Sequence, residues 1–88
     1  MLNHKEDGCY ICKRPYVHKH HIFEGMNRKM SEKYGMVVYL CPEHHNMSDR
    51  GVHFDKALDL ELKRQAQRQF EETHSREEFI EIFHRNYL

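Results

Sequence analysis

Two pairs of soft ligands, Cys9-Tyr10-Ile11-Cys12 and Cys41-Pro42-Glu43-His44, share the same two-residue gap. A chain of 88 residues buries little apolar surface, and a structural metal is one of the usual remedies. Three cysteines cannot all pair as disulfides, whereas three thiolates and one imidazole make a complete tetrahedral zinc site. Cys9, Cys12, Cys41 and His44 are therefore assigned to a structural zinc. Thiols kept for a metal also point to a reducing compartment.

His45 follows His44 directly. Successive residues on a helical turn are splayed by about 100°, so the two imidazoles are expected to serve different ions. Leu40-Cys41-Pro42-Glu43-His44-His45 is thus the hinge between fold and chemistry.

No apolar run approaches the roughly 20 residues that span a bilayer, and the N-terminus has no signal-peptide core. A soluble, cytoplasmic protein with no membrane partner is expected. Formal net charge is zero, which argues against a basic nucleic-acid arm. The charge is unevenly spread, however. Lys13, Arg14, Lys19, Arg28, Lys29 and Lys33 face only Glu24 and Glu32 over the same stretch, a pattern that fits a phosphate-facing surface. Charge alone also fits a solvated loop. Arg28, Lys29 and Lys33 are the candidate nucleic-acid contacts.

Local patterns give a small α+β domain with a two-stranded hairpin and C-terminal helices, spanning residues 1–88. Asp7-Gly8 reads as a turn delivering the first cysteine pair. Tyr16, Val17, Ile22 and Phe23 favour a strand that Gly25 ends. Side chains alternate along a strand, so His20 and His21 are expected on opposite faces, with His18 on the face of His20. The stretch from Met26 to Gly35 carries the basic side chains and one helical turn. Met36–Leu40 forms the second strand, and Pro42 suits the first position of a short helical turn. After a polar loop, Phe54, Leu58, Leu62, Ala66 and Phe70 recur every four residues, predicting a helix over 55–72 with an Asp59–Lys63 pair on its surface. Ser75 and Glu78 fit a capping box opening a shorter helix with Phe79, Ile82 and Phe83 on its apolar face.

The order of these pieces, a cysteine knuckle, His20-His21-Ile22 on a strand, Cys41-Pro42-Glu43-His44-His45 and a downstream histidine, resembles the HNH endonucleases. Their active site is a ββα-metal hairpin. The likeness runs from about Cys9 to Ala66, with residues 67–88 as a helical extension, and is in particular to small phage and prophage HNH proteins, including RecA-dependent recombination nucleases. The resemblance implies that His20 binds the catalytic metal, that His21 is the general base, and that His45 is a further metal ligand. His53 is the candidate to complete the set, with Asp49 competing for that place and His18 able to replace His20 if the register shifts.

The chemistry suits these residue types. Phosphodiester hydrolysis needs a water deprotonated near neutral pH and a cation beside the departing 3′ oxygen. An imidazole, with an ordinary pKa of about 6.5, can accept that proton. Three nitrogen ligands favour zinc, nickel or manganese over magnesium. The resemblance thus implies a metal-dependent DNA endonuclease of a bacterial or phage-infected cell, leaving 5′-phosphate and 3′-hydroxyl ends, with a recombination or packaging protein as a further partner. The sequence departs from the family at Met36, near the place of a polar residue that holds the general base. A backbone carbonyl or Asn27 is left to orient His21. The competing function is a non-catalytic, zinc-stabilised DNA-binding accessory module of a phage recombination or packaging system.

Overall fold

The apolar run Val37–Leu40 is β2, and it pairs antiparallel with β1, His18–His21. His18 lies opposite Leu40, Lys19 opposite Tyr39, His20 opposite Val38 and His21 opposite Val37. The computed structural model describes residues 2–45, 51–52 and 55–88. His-Lys-His-His has little intrinsic strand preference. β1 is held instead by its partner and by the residues that follow it: Ile22 N–H donates to the Met36 carbonyl at 3.0 Å, and Ile22 and Phe23 are both buried. The strand is shorter than the apolar pattern from Tyr16 suggests, and Tyr16 itself is 82% exposed.

Between the strands, a 3₁₀ turn over Gly25–Asn27 runs into α1, Arg28–Lys33. Ser31, fully buried, staples this connection. Its Oγ accepts from Phe23 N–H at 3.0 Å and donates to the Phe23 carbonyl at 2.7 Å, while its own carbonyl accepts from Met36 N–H at 2.7 Å. Gly35 closes the connection with φ 70°, in the left-handed region that suits glycine. α2 is the single turn Pro42–His45, leaving β2 through Cys41.

The two C-terminal helices are α3, Lys56–Phe70, and α4, Arg76–Phe83. α3 is slightly shorter than the periodicity predicts because Asp55 caps it, accepting from Leu58 N–H at 3.1 Å, and Glu71 lies beyond its end. Ser75 and Glu78 form the predicted capping box at the start of α4. Asp59 and Lys63 pair at 2.8 Å. Leu62, Ala66 and Phe70 are buried and Leu58 is half-buried, while Phe54 lies outside the described residues. Among the described residues, no helix is long and apolar enough to cross a membrane.

The core is one continuous cluster that joins Cys9 and Cys41 to the strand residues and to Phe70, Phe79 and Phe83. Phe23 is the aromatic link, with its ring 4.5 Å from Phe83 and 5.6 Å from Phe79 by centroid. These separations are those of favourable aromatic pairs. The C-terminal tail is tied down by buried Gln67, whose amide donates to Glu71 and Asn86 and whose oxygen accepts from Tyr87 N–H at 2.8 Å. At the other end, Leu2 N–H donates to the Val37 carbonyl, and the Asn3 side chain exchanges hydrogen bonds with the Tyr39 backbone and donates to the Gly8 carbonyl. The N-terminal segment therefore lines β2 and holds the approach to the first cysteine pair.

The α3–α4 corner carries a pH-dependent contact. The Arg76 guanidinium and the Gln67 amide beside Glu71 hold its carboxyl below the usual range. A depressed folded-state pKa contributes stability above the unfolded value, and that contribution is lost as pH falls through the folded one. Glu71→Gln should therefore melt below the wild type at neutral pH, with the gap closing on acidification. Thermal melts of both proteins across the carboxylate range check this.

Candidate metal centre

Gly8 opens the first half of the centre. Its φ is 76°, and an added Cβ would come 2.6 Å from the Lys13 carbonyl oxygen and 2.8 Å from that of Arg14. Only glycine lets the chain fold back so tightly here. Cys9 N–H donates to the Arg14 carbonyl and Lys13 N–H to the Cys9 carbonyl, both at 2.9 Å. Ile11 N–H points at Cys9 Sγ, 3.4 Å away. Tyr10 N–H donates to the Tyr39 carbonyl at 2.9 Å, which fastens this knuckle to β2. The second half comes from the end of β2 and α2, where His44 and His45 N–H both donate to the Cys41 carbonyl.

The two halves converge. The ligand atoms of Cys9, Cys12, Cys41 and His44 all lie within 4.8 Å of one another. Cys12 Sγ is 3.6 Å from Cys41 Sγ, and His44 Nδ1 is 3.2 Å from Cys41 Sγ and 3.7 Å from Cys9 Sγ. Ordinary zinc bond lengths at tetrahedral angles give about 3.8 Å between two sulfurs and about 3.6 Å between sulfur and nitrogen. Those three pairs lie within about half an ångström of these values, and the Cys₃His group is compatible with a zinc ion. Arg14 pairs with Glu43, joining the halves outside the ligands.

The electrostatics ask for a cation. Desolvation pushes the Cys9 thiol up, but hydrogen bonds from the backbone of Cys41, Cys12 and Ile11 outweigh it and bring it from 9.0 to about 6. Cys12 moves the other way: a backbone hydrogen bond at Arg14 lowers it, yet desolvation and the thiols of Cys41 and Cys9 leave it raised. One thiolate is thus easily formed and further negative charge is resisted, a conflict that a divalent ion resolves.

His45 turns away from this group. Its Nδ1 lies 3.3 Å from Nδ1 of His18, and its ring is 5.3 Å by centroid from His20. His18 and His20 are two residues apart on β1, so the pleat presents them to one face. His20 is buried, and its Nδ1 is 3.6 Å from a Glu24 carboxylate oxygen. His18, the alternative to His20 in the sequence, is exposed and sits against His45. His53 and Asp49, the residues proposed to complete this set, lie outside the described residues.

His21 alternates to another environment. Its Nε2 is 2.6 Å from Glu32 Oε2, and the other oxygen of Glu32 accepts from Lys19 Nζ at 2.9 Å. Lys19 first, and His21 second, hold the Glu32 carboxyl below its usual range. Lys19, His21, Gly25, Arg28, Lys29 and Glu32 line one open groove. Lys33 is exposed elsewhere, with its Nζ over the Tyr34 ring.

The expectation that Asn27 could steer His21 needs correcting. Asn27 donates instead to the Phe83 carbonyl at 3.3 Å. Met36 is buried in the core. The polar partner of His21 comes from α1, not from the second strand. Glu32 was visible only as one of two acids in a basic stretch, because nothing in the spacing of residues 21 and 32 signals contact between a strand and a separate helix.

No family model, curated protein or solved structure matches the chain.

Removing one thiolate leaves three ligands. In domains of this size metal binding supplies much of the folding free energy, so Cys12→Ala should lose cooperative unfolding and bound zinc together. A chelator should act on the wild type in the same way. Metal content by mass spectrometry alongside circular dichroism melts measures both, and an unchanged melt with full zinc would refute the ligand assignment.

Proposed function

We propose that the protein is a metal-dependent endonuclease of the HNH type that hydrolyses DNA phosphodiester bonds. The observation that carries this reading is the division of neighbouring histidines on one strand. His20 packs with His45 and His18 in an imidazole cluster, whereas His21 lies in a groove with Arg28 and Lys29. A domain needing only its structural zinc has no use for this second group of histidines.

The His18–His45 pair is spaced as two ligands of one divalent cation would be. Tetrahedral zinc–nitrogen geometry separates two ligand nitrogens by about 3.3–3.4 Å, and His18 Nδ1 and His45 Nδ1 are 3.3 Å apart. His20 and His45 would hold the ion, with His18 as a third protein ligand and His53 as a further candidate. When bound, the ion would supply positive charge beside the departing 3′ oxygen. Exposure of His18 leaves the cluster accessible to a phosphate.

His21 would take the proton of the attacking water. Its side chain is 15% exposed, enough to meet solvent from the groove. Arg28 and Lys29 are exposed beside it and would draw the DNA backbone by charge. The zinc cluster would take no part in the chemistry. Its role is to fix α2, and hence His45, relative to β1. A role for a recombination or packaging protein rests on the sequence resemblance alone.

The roles of His21 and His45 separate experimentally. His21→Ala should retain zinc, fold and DNA binding while the cleavage rate falls by about 100-fold or more. His45→Ala should weaken binding of the catalytic ion, so excess metal should restore part of its activity and none of that of His21→Ala. Nicking of supercoiled plasmid over titrations of zinc, nickel, manganese and magnesium reads all three proteins. A wild type that binds DNA but never nicks it with any of these ions would leave a zinc-stabilised binding module as the function.

A further inference from the structure

We propose that Glu32 is the positioning residue for His21: it accepts the Nε2 proton of the imidazole, so that Nδ1 is the atom that takes the proton of water. This inference rests on the nuclease reading for its catalytic consequence, and on the geometry of α1 and β1 for the hydrogen bond itself.

The argument begins with which atom donates. His21 Nε2 and Glu32 Oε2 are 2.6 Å apart, within the range of a charge-assisted hydrogen bond. A carboxylate has only lone pairs to offer, and Lys19 keeps Glu32 in that form by donating to its other oxygen at 2.9 Å. The proton between His21 and Glu32 therefore belongs to Nε2. In a neutral imidazole only one ring nitrogen carries hydrogen, so Nδ1 is left with the lone pair. A general base needs such a fixed tautomer as much as it needs basicity.

The carboxylate is also held in place. The residue before it, Ser31, is fully buried and bonded to both the N–H and the carbonyl of Phe23, two residues beyond His21. The Ser31 carbonyl accepts from Met36 N–H, next to the start of β2. α1 is thus stapled to both strands at the connecting end of the hairpin, and Glu32 projects from it beside β1. Lys19, on the same face of the strand as His21, approaches the carboxylate from the other side. Such a clamp restrains the ring about its long axis, which a single contact to a mobile side chain would not do.

A merely structural ion pair predicts something different. In that case Glu32 would only dock α1 on the hairpin, and its loss would lower stability without touching the rate of the bound complex. The test uses the full chain carrying its structural zinc. Nitrogen-15 NMR of the protein without DNA should show a proton bonded to His21 Nε2 and protected from exchange, and Glu32→Ala should lose that protected signal. With supercoiled plasmid and manganese, Glu32→Ala should lower kcat by about 10- to 100-fold, less than loss of the base itself, while KM and zinc content stay unchanged.

Glu32→Gln keeps an oxygen that can accept from Nε2 and should recover most of the rate, which separates hydrogen bonding from bulk charge. A proton found on His21 Nδ1 in the wild type, or an unchanged kcat in Glu32→Ala, would overturn the proposal. If the wild type does not nick at all, the catalytic role falls with the nuclease reading. The NMR result then still decides whether Glu32 holds the ring.

Discussion

Convergence of three sulfurs and one ring nitrogen is the constraint on which the rest of the molecule depends. Thiolates gathered in one such group repel, and the backbone dipoles around Cys9 ease the first ionisation without relieving the next. A divalent ion bound there would remove that repulsion and, in doing so, lock two distant stretches of chain. The knuckle at residues 9–12 is tied through Tyr10 and Asn3 to the backbone of Tyr39, and Cys41 follows β2 directly. The end of the hairpin therefore cannot splay, although its strands are only four residues each. Two short strands alone would be marginal in water.

From that fixed point, the period of the β-strand and the turn of the helix distribute the histidines. Alternation on β1 sends His18 and His20 to one face and His21 to another, and the one-residue advance from His44 to His45 on α2 carries the chain from the thiol cluster to the imidazole cluster. No long excursion is needed to separate the thiol group from the second group of imidazoles. The C-terminal helices act on this arrangement from behind. Phe79 and Phe83 pack on Phe23, so the aromatic core reaches within two residues of His21.

What could be read from the sequence followed strict spacing or strong local chemistry. The Cys-x₂-Cys and Cys-x₂-His pairs, the capping box at Ser75, the Asp59–Lys63 pair and the second strand, read one residue longer as Met36–Leu40, all depend on neighbours a few residues apart. Contacts that depend on packing between separate elements were not legible. Glu32 reaches His21 only because Ser31 docks α1 on the hairpin, and the contact of His18 with His45 depends on the angle at which α2 leaves β2. Nothing in the sequence marks Gln67, yet it is buried and anchors the tail. Asn3 was equally silent, since its partners lie 5 and 36 residues away.

The staple at Ser31 divides the connection between the strands into parts with different freedom to vary. Residues 32–36 are held at their start by Ser31 and at their end by Met36, whereas 24–30 form an arch whose two feet, Phe23 and Ser31, are bonded to each other. The exposed positions of an arch closed at its base can change composition without disturbing its feet. Arg28 and Lys29 lie on that arch. The exposed cationic surface can therefore vary while the partner of His21 keeps its place, so that the charge of the groove and the setting of the imidazole are separable within a single hairpin.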